Sequence, residues 1–505
     1  MSYGMTRFSA APAAVTVLAN DRSSLEARQI VFINGQWREA ASNTHFTSSN
    51  PATGEAIDQI PAGGAEDAVA AIDAAHAAFP AWSGRSAYER SAILYKAYTL
   101  MVERKDELAK LMTTEQGKPL RAAANETQYA ADFLLWYAEE AKRVYGETIP
   151  SARGDQRFII FKAPVGVVAA VTPWNYPISM LTRKLAPALA AGCTVVLKPA
   201  EATPLCAIAV FKILQEAGVP DGVINLVTAE DPKPIGEVFT TDERVRKITF
   251  TGSTAVGKML AGKAGENMKR ISLELGGHAP FIVYDDADPT HAAKGASLVK
   301  FLNTGQACIS PNRMFVHESG VDAFIGELTS RVERLRAGNG LEQGVGIGPL
   351  VNEAAVAKVE RQVEDAKAKG ARVMCGGHRL MDNGLDKGNF YAATVLADVT
   401  PDMLIYLEET FGPVAAVVPF KDGDDVLAMA NDTTYGLAAY VYTNNMAKAM
   451  RTVEGLDFAI IGVNDINPTS AAAPFGGMKS SGLGREGGHE GIEEYLESKT
   501  AGFSI

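Results

Sequence analysis

From residue 165 onward the chain repeats one pattern: a short apolar run, a polar break, then a stretch with helical spacing. Residues 165–171, 194–197, 223–227, 247–251 and 271–274 read as strands buried on both faces. Between them lie helical stretches such as 203–217, with Pro204 at a first-turn position. This alternation predicts a parallel sheet covered by helices on each side.

A second alternating set, from about residue 288 to 463 with helices near 352–369 and 424–430, predicts a second α/β domain. Ahead of both, residues 65–79 and 88–112 read as helices, and Asn34-Gly35 marks a hairpin turn. The stretches 149–162 and 495–505 look like strands attached to neither core. At 505 residues, roughly three domains are expected.

Charge narrows the partners. Lys and Arg total 48 against 59 Asp and Glu, a net charge of −11, which argues against a nucleic-acid binder. Small anionic ligands respond to local charge and stay open. The longest uncharged apolar run in mid-chain, 185–197, is bracketed by Lys184 and Lys198 and falls short of the ~20 residues a membrane span needs. The four cysteines, Cys193, Cys206, Cys308 and Cys375, form no Cys-x-x-Cys pair and suggest reduced thiols in a cytoplasmic protein. Residues 1–28 read as a loose N-terminal extension.

Candidate chemistry sits at strand ends. Gly252-Ser253-Thr254-Ala255-Val256-Gly257-Lys258 matches most of a nucleotide-phosphate loop, but position 259 is methionine, so the hydroxyl that would hold Mg²⁺ is missing. The loop still opens a helix, whose N-terminus favours a phosphate without metal, although Ser253 in isolation is equally a helix cap. No GxGxxG fingerprint exists, so a dinucleotide site here differs from the usual Rossmann one.

Cys308 follows Asn303-Thr304-Gly305-Gln306-Ala307, a polar, glycine-containing turn that can expose a sulfur. A thiolate nucleophile needs a proton-handling partner and donors where negative charge develops. Glu274, at the end of an apolar strand, is a candidate for the first role, or a structural buried acid. Asn175, in Thr172-Pro173-Trp174-Asn175-Tyr176-Pro177, is a candidate for the second, or an ordinary turn residue. The seven histidines show no metal-binding spacing, so no metal is expected.

Taken together, 172–177, Lys198-Pro199-Ala200-Glu201, Phe250-Thr251-Gly252-Ser253, 273–277, Gly305-Gln306-Ala307-Cys308, Glu409-Thr410-Phe411-Gly412-Pro413 and Pro474-Phe475-Gly476-Gly477 resemble the NAD(P)-dependent aldehyde dehydrogenase superfamily. The likeness runs from about residue 30 to the C-terminus. It is nearest the succinate-semialdehyde dehydrogenase branch, through 273–283, 346–350 and 481–487.

The resemblance implies a variant Rossmann cofactor domain (29–148 and 165–284), a catalytic domain (285–480) and an oligomerisation β-arm (149–164 and 481–505) that makes a homo-oligomer, with a dimer of dimers expected. It implies that Cys308 attacks the aldehyde, that Asn175 and the Cys308 N–H hold the oxyanion, and that Glu274 activates the water that hydrolyses the thioester. It assigns Lys198 and Glu201 to the adenosine ribose, Gly252 and Ser253 to the pyrophosphate, Glu409 and Phe411 to the nicotinamide riboside, and Trp174 and Leu275 to the same cleft. A carboxylate at 201 repels a 2′-phosphate, so NAD⁺ is expected over NADP⁺, with Lys198 softening the preference.

For substrate, the branch implies that Arg183 binds a distal carboxylate, with Ser470 contacting the same tail. By itself, Arg183-Lys184 reads as a solvated basic pair. Two positions depart from the branch: Leu302 stands where a second arginine is common, and Ser310 where some members carry a redox-switching cysteine. An aldehyde with an anionic tail is expected, succinate semialdehyde or a relative. The alternatives are 2-oxoglutarate semialdehyde, which Cys308-Ile309-Ser310-Pro311 suggests, 3-sulfolactaldehyde, and a non-catalytic family member.

Overall fold

A computed structural model describes residues 31–505; the 1–28 extension therefore lies outside the described residues. Five short apolar runs become the centre of an eight-stranded sheet. Val167–Val171, Thr194–Lys198, Val245–Thr251 and Arg270–Glu274 pair in parallel, and Ile224–Leu226 extends them in parallel. Val168, Val195, Val196 and Leu197 have no exposed surface. Each such side chain contributes about 1.5–3 kcal/mol by leaving water. The Asn34-Gly35 hairpin joins one edge, with both residues left-handed (φ 52° and 77°) as the tight turn requires.

The helical N-terminal region packs over this sheet. The expected 88–112 helix breaks at Arg104 into Ala87–Glu103 and Lys105–Gln116, and a long helix, Leu120–Glu140, follows. A seven-stranded sheet forms the second layered unit, with Ala279–Val283, Pro311–His317, Val414–Phe420 and Ala438–Tyr442 parallel at its centre.

The chain passes from one sheet to the other within four residues, between Glu274 and Ala279. The C-terminal ends of the first sheet's parallel strands therefore face the N-terminal ends of the second's. Open α/β sheets bind ligands at the C-terminal strand ends. Here a second sheet follows directly on that edge.

A third, three-stranded sheet joins Glu147–Pro150, Gln156–Pro164 and Leu496–Ser504. The stretch 481–495 behaves differently from the strand that follows it. Gly482–Leu483 pairs with Leu273 and Glu274 in the first sheet, so this stretch reaches back to the strand end that carries Glu274. Among the described residues no helix is long and apolar enough to cross a membrane.

Candidate active site

Two cavities meet at Cys308. One, of about 260 Å³, is lined by Trp174, Asn175, Gly252, Ser253, Leu275, Glu409 and Phe411 as well as the cysteine. The other, of about 650 Å³, is lined by Arg183, Tyr129, Leu302, Ile309 and Phe475 among others, again with the cysteine. Only Cys308 and Met180 border both.

The smaller cavity gathers the ends of the parallel strands. Val171 lies opposite Lys198 and Thr251 opposite Glu274, so the loops carrying Asn175, Gly252 and Leu275 leave the sheet at one level. Gly252 and Ser253 precede the helix Thr254–Glu266, and the Ser253 hydroxyl accepts the Val256 N–H at 3.4 Å. Ser253 therefore caps the helix and also lines the cavity.

The glycines of Leu273-Glu274-Leu275-Gly276-Gly277 have specific neighbours. A Cβ on Gly277 would lie 2.3 Å from the Cys308 carbonyl oxygen, and one on Gly276 would lie 2.9 Å from a Glu409 carboxylate oxygen. Glu409 is then tied down by the Gly277 N–H, 2.8 Å from its Oε1. Trp174 meets Phe411 edge to face, with centroids 5.6 Å apart. N–H donors at a helix N-terminus, a backbone made bare by glycine and an anchored carboxylate able to accept from ribose hydroxyls fit a dinucleotide.

Lys198 and Glu201 do not line this cavity; they pair with each other in an ion pair. Lys198 is buried, while Glu201 keeps 39% of its side chain exposed.

The turn carrying the sulfur is held in an uncommon conformation. Asn303, Thr304 and Gly305 are all left-handed, with φ of 50°, 58° and 74°, a strained choice for a β-branched threonine. Surrounding bonds fix it. The Thr304 hydroxyl accepts the Gly348 N–H at 3.0 Å, and the Gln306 side chain accepts the Val351 N–H at 3.0 Å. A Cβ on Gly305 would strike the Gly412 carbonyl at 2.1 Å.

Asn175 is tied to the same turn. Its side-chain amide donates to the Gln306 carbonyl at 3.1 Å, and its own carbonyl accepts from Asn303 Nδ2 at 2.9 Å and Lys118 Nζ at 2.7 Å. Asn175 precedes the helix Ser179–Ala191 and is not part of it. It lines the smaller cavity and Arg183 the larger, and the two spaces share Cys308 and Met180.

The Arg183-Lys184 pair is not solvated. Both side chains are buried, and both contact Glu486, at 2.9 Å from Arg183 Nε and 2.5 Å from Lys184 Nζ. Arg183 also lies over the Phe475 ring at 3.9 Å, and its Nη2 has no hydrogen-bond partner. Burial pushes the Glu486 carboxyl up, but Lys184 and Arg183 outweigh it and hold Glu486 below the usual carboxylate range.

Glu274 has the opposite fate. Burial, reinforced by the Glu486 charge, drives its carboxyl well above the usual range against the pull of Arg183 and Lys184. Its Oε2 has no partner. Burial likewise pushes the half-buried Cys308 thiol up to about 12, with Arg183 opposing and Glu274 reinforcing that shift. The two coupled carboxyls are thus pushed in opposite directions, Glu486 favouring its charged form and Glu274, which lines neither cavity, its neutral one.

Ser470 is not brought to either cavity. It is exposed, and its hydroxyl accepts the Ala472 N–H at 3.2 Å, while its neighbour Thr469 lines the larger space. Expecting Ser470 there placed the loop one residue out of phase. Leu302 does line the cavity, 39% exposed. Sequence reasoning missed Glu486, Lys118 and Glu126. Glu126, paired with Lys118, accepts the Ile178 and Ser179 N–H groups at 3.1 and 3.2 Å, anchoring the loop after Asn175. Among the described residues no cluster of His, Cys, Asp and Glu could hold a metal ion.

The chain belongs to the aldehyde dehydrogenase family, whose model matches residues 37–501. Among individual relatives it is 49% identical to the NADP(+) succinate-semialdehyde dehydrogenase of Escherichia coli (strain K12), over 94% of this chain and 97% of that one. It is 48% identical to a 3-sulfolactaldehyde dehydrogenase of Pseudomonas putida, over 94% and 96%. The solved structure of a succinate-semialdehyde dehydrogenase from Burkholderia pseudomallei superposes with a TM-score of 0.93 at 46% identity, covering 95% and 98%.

Proposed function

We propose that this enzyme oxidises a short aldehyde with an anionic tail to the carboxylic acid, with NAD⁺ preferred and NADP⁺ accepted. The observation that carries this reading is that Cys308 borders both cavities, one with a dinucleotide's donor set and one with a buried arginine.

The aldehyde enters the larger cavity and Cys308 Sγ adds to its carbonyl carbon. Its thiol proton leaves to solvent before the attack, so that the thiolate is the species that adds. The Asn175 side-chain amide and the Cys308 N–H supply hydrogen bonds to the oxyanion, on a turn locked before substrate arrives. When bound, the dinucleotide supplies the hydride acceptor that makes the step an oxidation. Gly252 and Ser253 would hold its phosphates, Glu409 and Phe411 the riboside near the thiol, and Lys198 with Glu201 the far ribose. The resulting thioester on Cys308 is hydrolysed by water that Glu274 deprotonates.

Arg183 attracts the tail: its Nη2 lacks a protein hydrogen bond at the cavity wall, and Glu486 holds the guanidinium in place. A sulfonate-tailed aldehyde such as 3-sulfolactaldehyde is the second reading, favoured by the likeness to an enzyme of that name. Comparing kcat/KM for succinate semialdehyde, 3-sulfolactaldehyde and neutral aldehydes tests this; a preference for the neutral compounds removes Arg183's role.

The enzyme is proposed to work in the cytoplasm, where its four unpaired cysteines stay reduced, as a homotetramer. Support for assembly comes from the three-stranded sheet, which exposes Phe161 and Phe503 together with its strand edges. Light scattering that finds a single chain in solution refutes it.

A further inference from the structure

We propose that Arg121 is a second anion-binding group of the larger cavity, selecting aldehydes whose anionic group is separated from the aldehyde carbon by an extended apolar spacer. This rests on the reading of that cavity as the substrate site.

Three basic side chains line the cavity: Lys118, Arg183 and Arg121. Lys118 is neutralised within the protein, and Arg183 spends part of its charge on Glu486. Lys118 is buried against Glu126, the Asn175 carbonyl and the Tyr176 ring, and Arg183 is paired with Glu486. Arg121 is exposed, and among the described residues it has no ion-pair or hydrogen-bond partner.

Its position in the fold gives no local reason for a cation. Pro119 is the N-cap of the helix Leu120–Glu140, so Arg121 stands in the first turn, where the helix dipole disfavours positive charge. The helix shows the cavity one face, Arg121, Ala122, Asn125, Glu126 and Tyr129, so the cation is aimed along that wall.

The remaining wall defines the spacer. Leu298 and Leu302 are 55% and 39% exposed at the outer end, where Arg121 is also exposed, whereas Arg183 lies buried over Phe475 near the thiol. A tail long enough to pass the leucines therefore meets Arg121, and a short one stops at Arg183. At about 650 Å³ the cavity has room for the longer molecule. Leu302 and Leu298 thus give an apolar stretch to the same cavity that Arg121 lines.

The test uses the full-length enzyme and compares Arg121→Gln, Arg121→Lys and the unaltered protein. Substrates are succinate semialdehyde, glutarate semialdehyde, adipate semialdehyde and 4-carboxybenzaldehyde, with hexanal and benzaldehyde as neutral counterparts. For adipate semialdehyde and 4-carboxybenzaldehyde, Arg121→Gln is expected to lower kcat/KM about tenfold, through KM, relative to the neutral counterparts. Arg121→Lys should recover part of the loss. Raising salt should shrink the difference, since an exposed charge is screened.

The proposal is overturned if the neutral counterparts lose as much, if the long acids lose nothing, or if the unaltered enzyme does not turn over the long acids. An unaltered enzyme that prefers neutral aldehydes throughout defeats the anionic-tail reading itself. One that prefers long acids, and still does so after Arg121→Gln, defeats only the assignment to Arg121.

Discussion

The two cavities that meet at Cys308 are built by different means. The smaller is made largely of backbone and strand ends: the 252–253 turn, two glycines that admit Glu409 and the Cys308 carbonyl, and a helix N-terminus. The larger is made of side chains from segments far apart in sequence, with Arg121, Arg183, Leu302, Thr469 and Phe475 on its walls. Backbone recognition suits a ligand that does not vary. Side-chain recognition can change residue by residue without disturbing the sheet, so the two halves of the site can diverge at different rates.

That contrast can be broken at its centre first. Cys308→Ser should cut turnover by at least about 10⁴-fold, because a serine with no base tuned to it is a far weaker nucleophile. Retained activity measured as NADH formation would show that neither cavity serves this thiol. Glu274→Gln should lower steady-state turnover by about 10²–10⁴-fold while acyl-enzyme still accumulates, seen by mass spectrometry of the intact protein. Unchanged turnover would take the deacylation role from Glu274.

Glu486→Gln probes the larger cavity's charge support. It leaves Arg183 and Lys184 buried without a counter-charge and should destabilise the fold by about 3–5 kcal/mol, read by chemical denaturation. It also changes the pH profile in a definite direction. Glu274 and Cys308 act deprotonated and both are held above their usual values, so kcat should rise as pH increases. Removing the Glu486 charge lets Glu274 ionise more easily, which moves that rising limb to lower pH; a limb that stays in place contradicts the coupling.

On the cofactor side, the smallest effect is expected at Glu201. Because Lys198 already pairs with it, Glu201→Gln should raise relative NADP⁺ efficiency only a few-fold. A change of 10²-fold or more would mean that the carboxylate acts unpaired.

The same contrast explains what the sequence disclosed. The parallel strands, the Asn34-Gly35 hairpin and the helix opened by Pro204 follow from local spacing and turn chemistry, and their bounds agree with the fold to within a few residues. Cys308, Glu274 and the cofactor-cavity residues sit in short contiguous motifs, so linear reading reaches them. Glu486 was invisible because its importance depends on Gly482–Leu483 pairing back to Leu273 and Glu274, a contact spanning more than two hundred residues. Arg183-Lys184 looked solvated because two adjacent cations give no sign of a shared acid 300 residues away. Ser470 shows the limit within a loop, where one residue's shift decides whether a hydroxyl faces the cavity or its own backbone.

Because the sulfur borders two spaces, the proposed aldehyde and dinucleotide would reach it from different sides. An electrophilic inhibitor sized for the leucine-lined passage has no need to compete with a resident dinucleotide, and its potency would then hold steady as dinucleotide concentration climbs. Selectivity among paralogues would come from Arg121 and Leu302, residues that take no part in bond making.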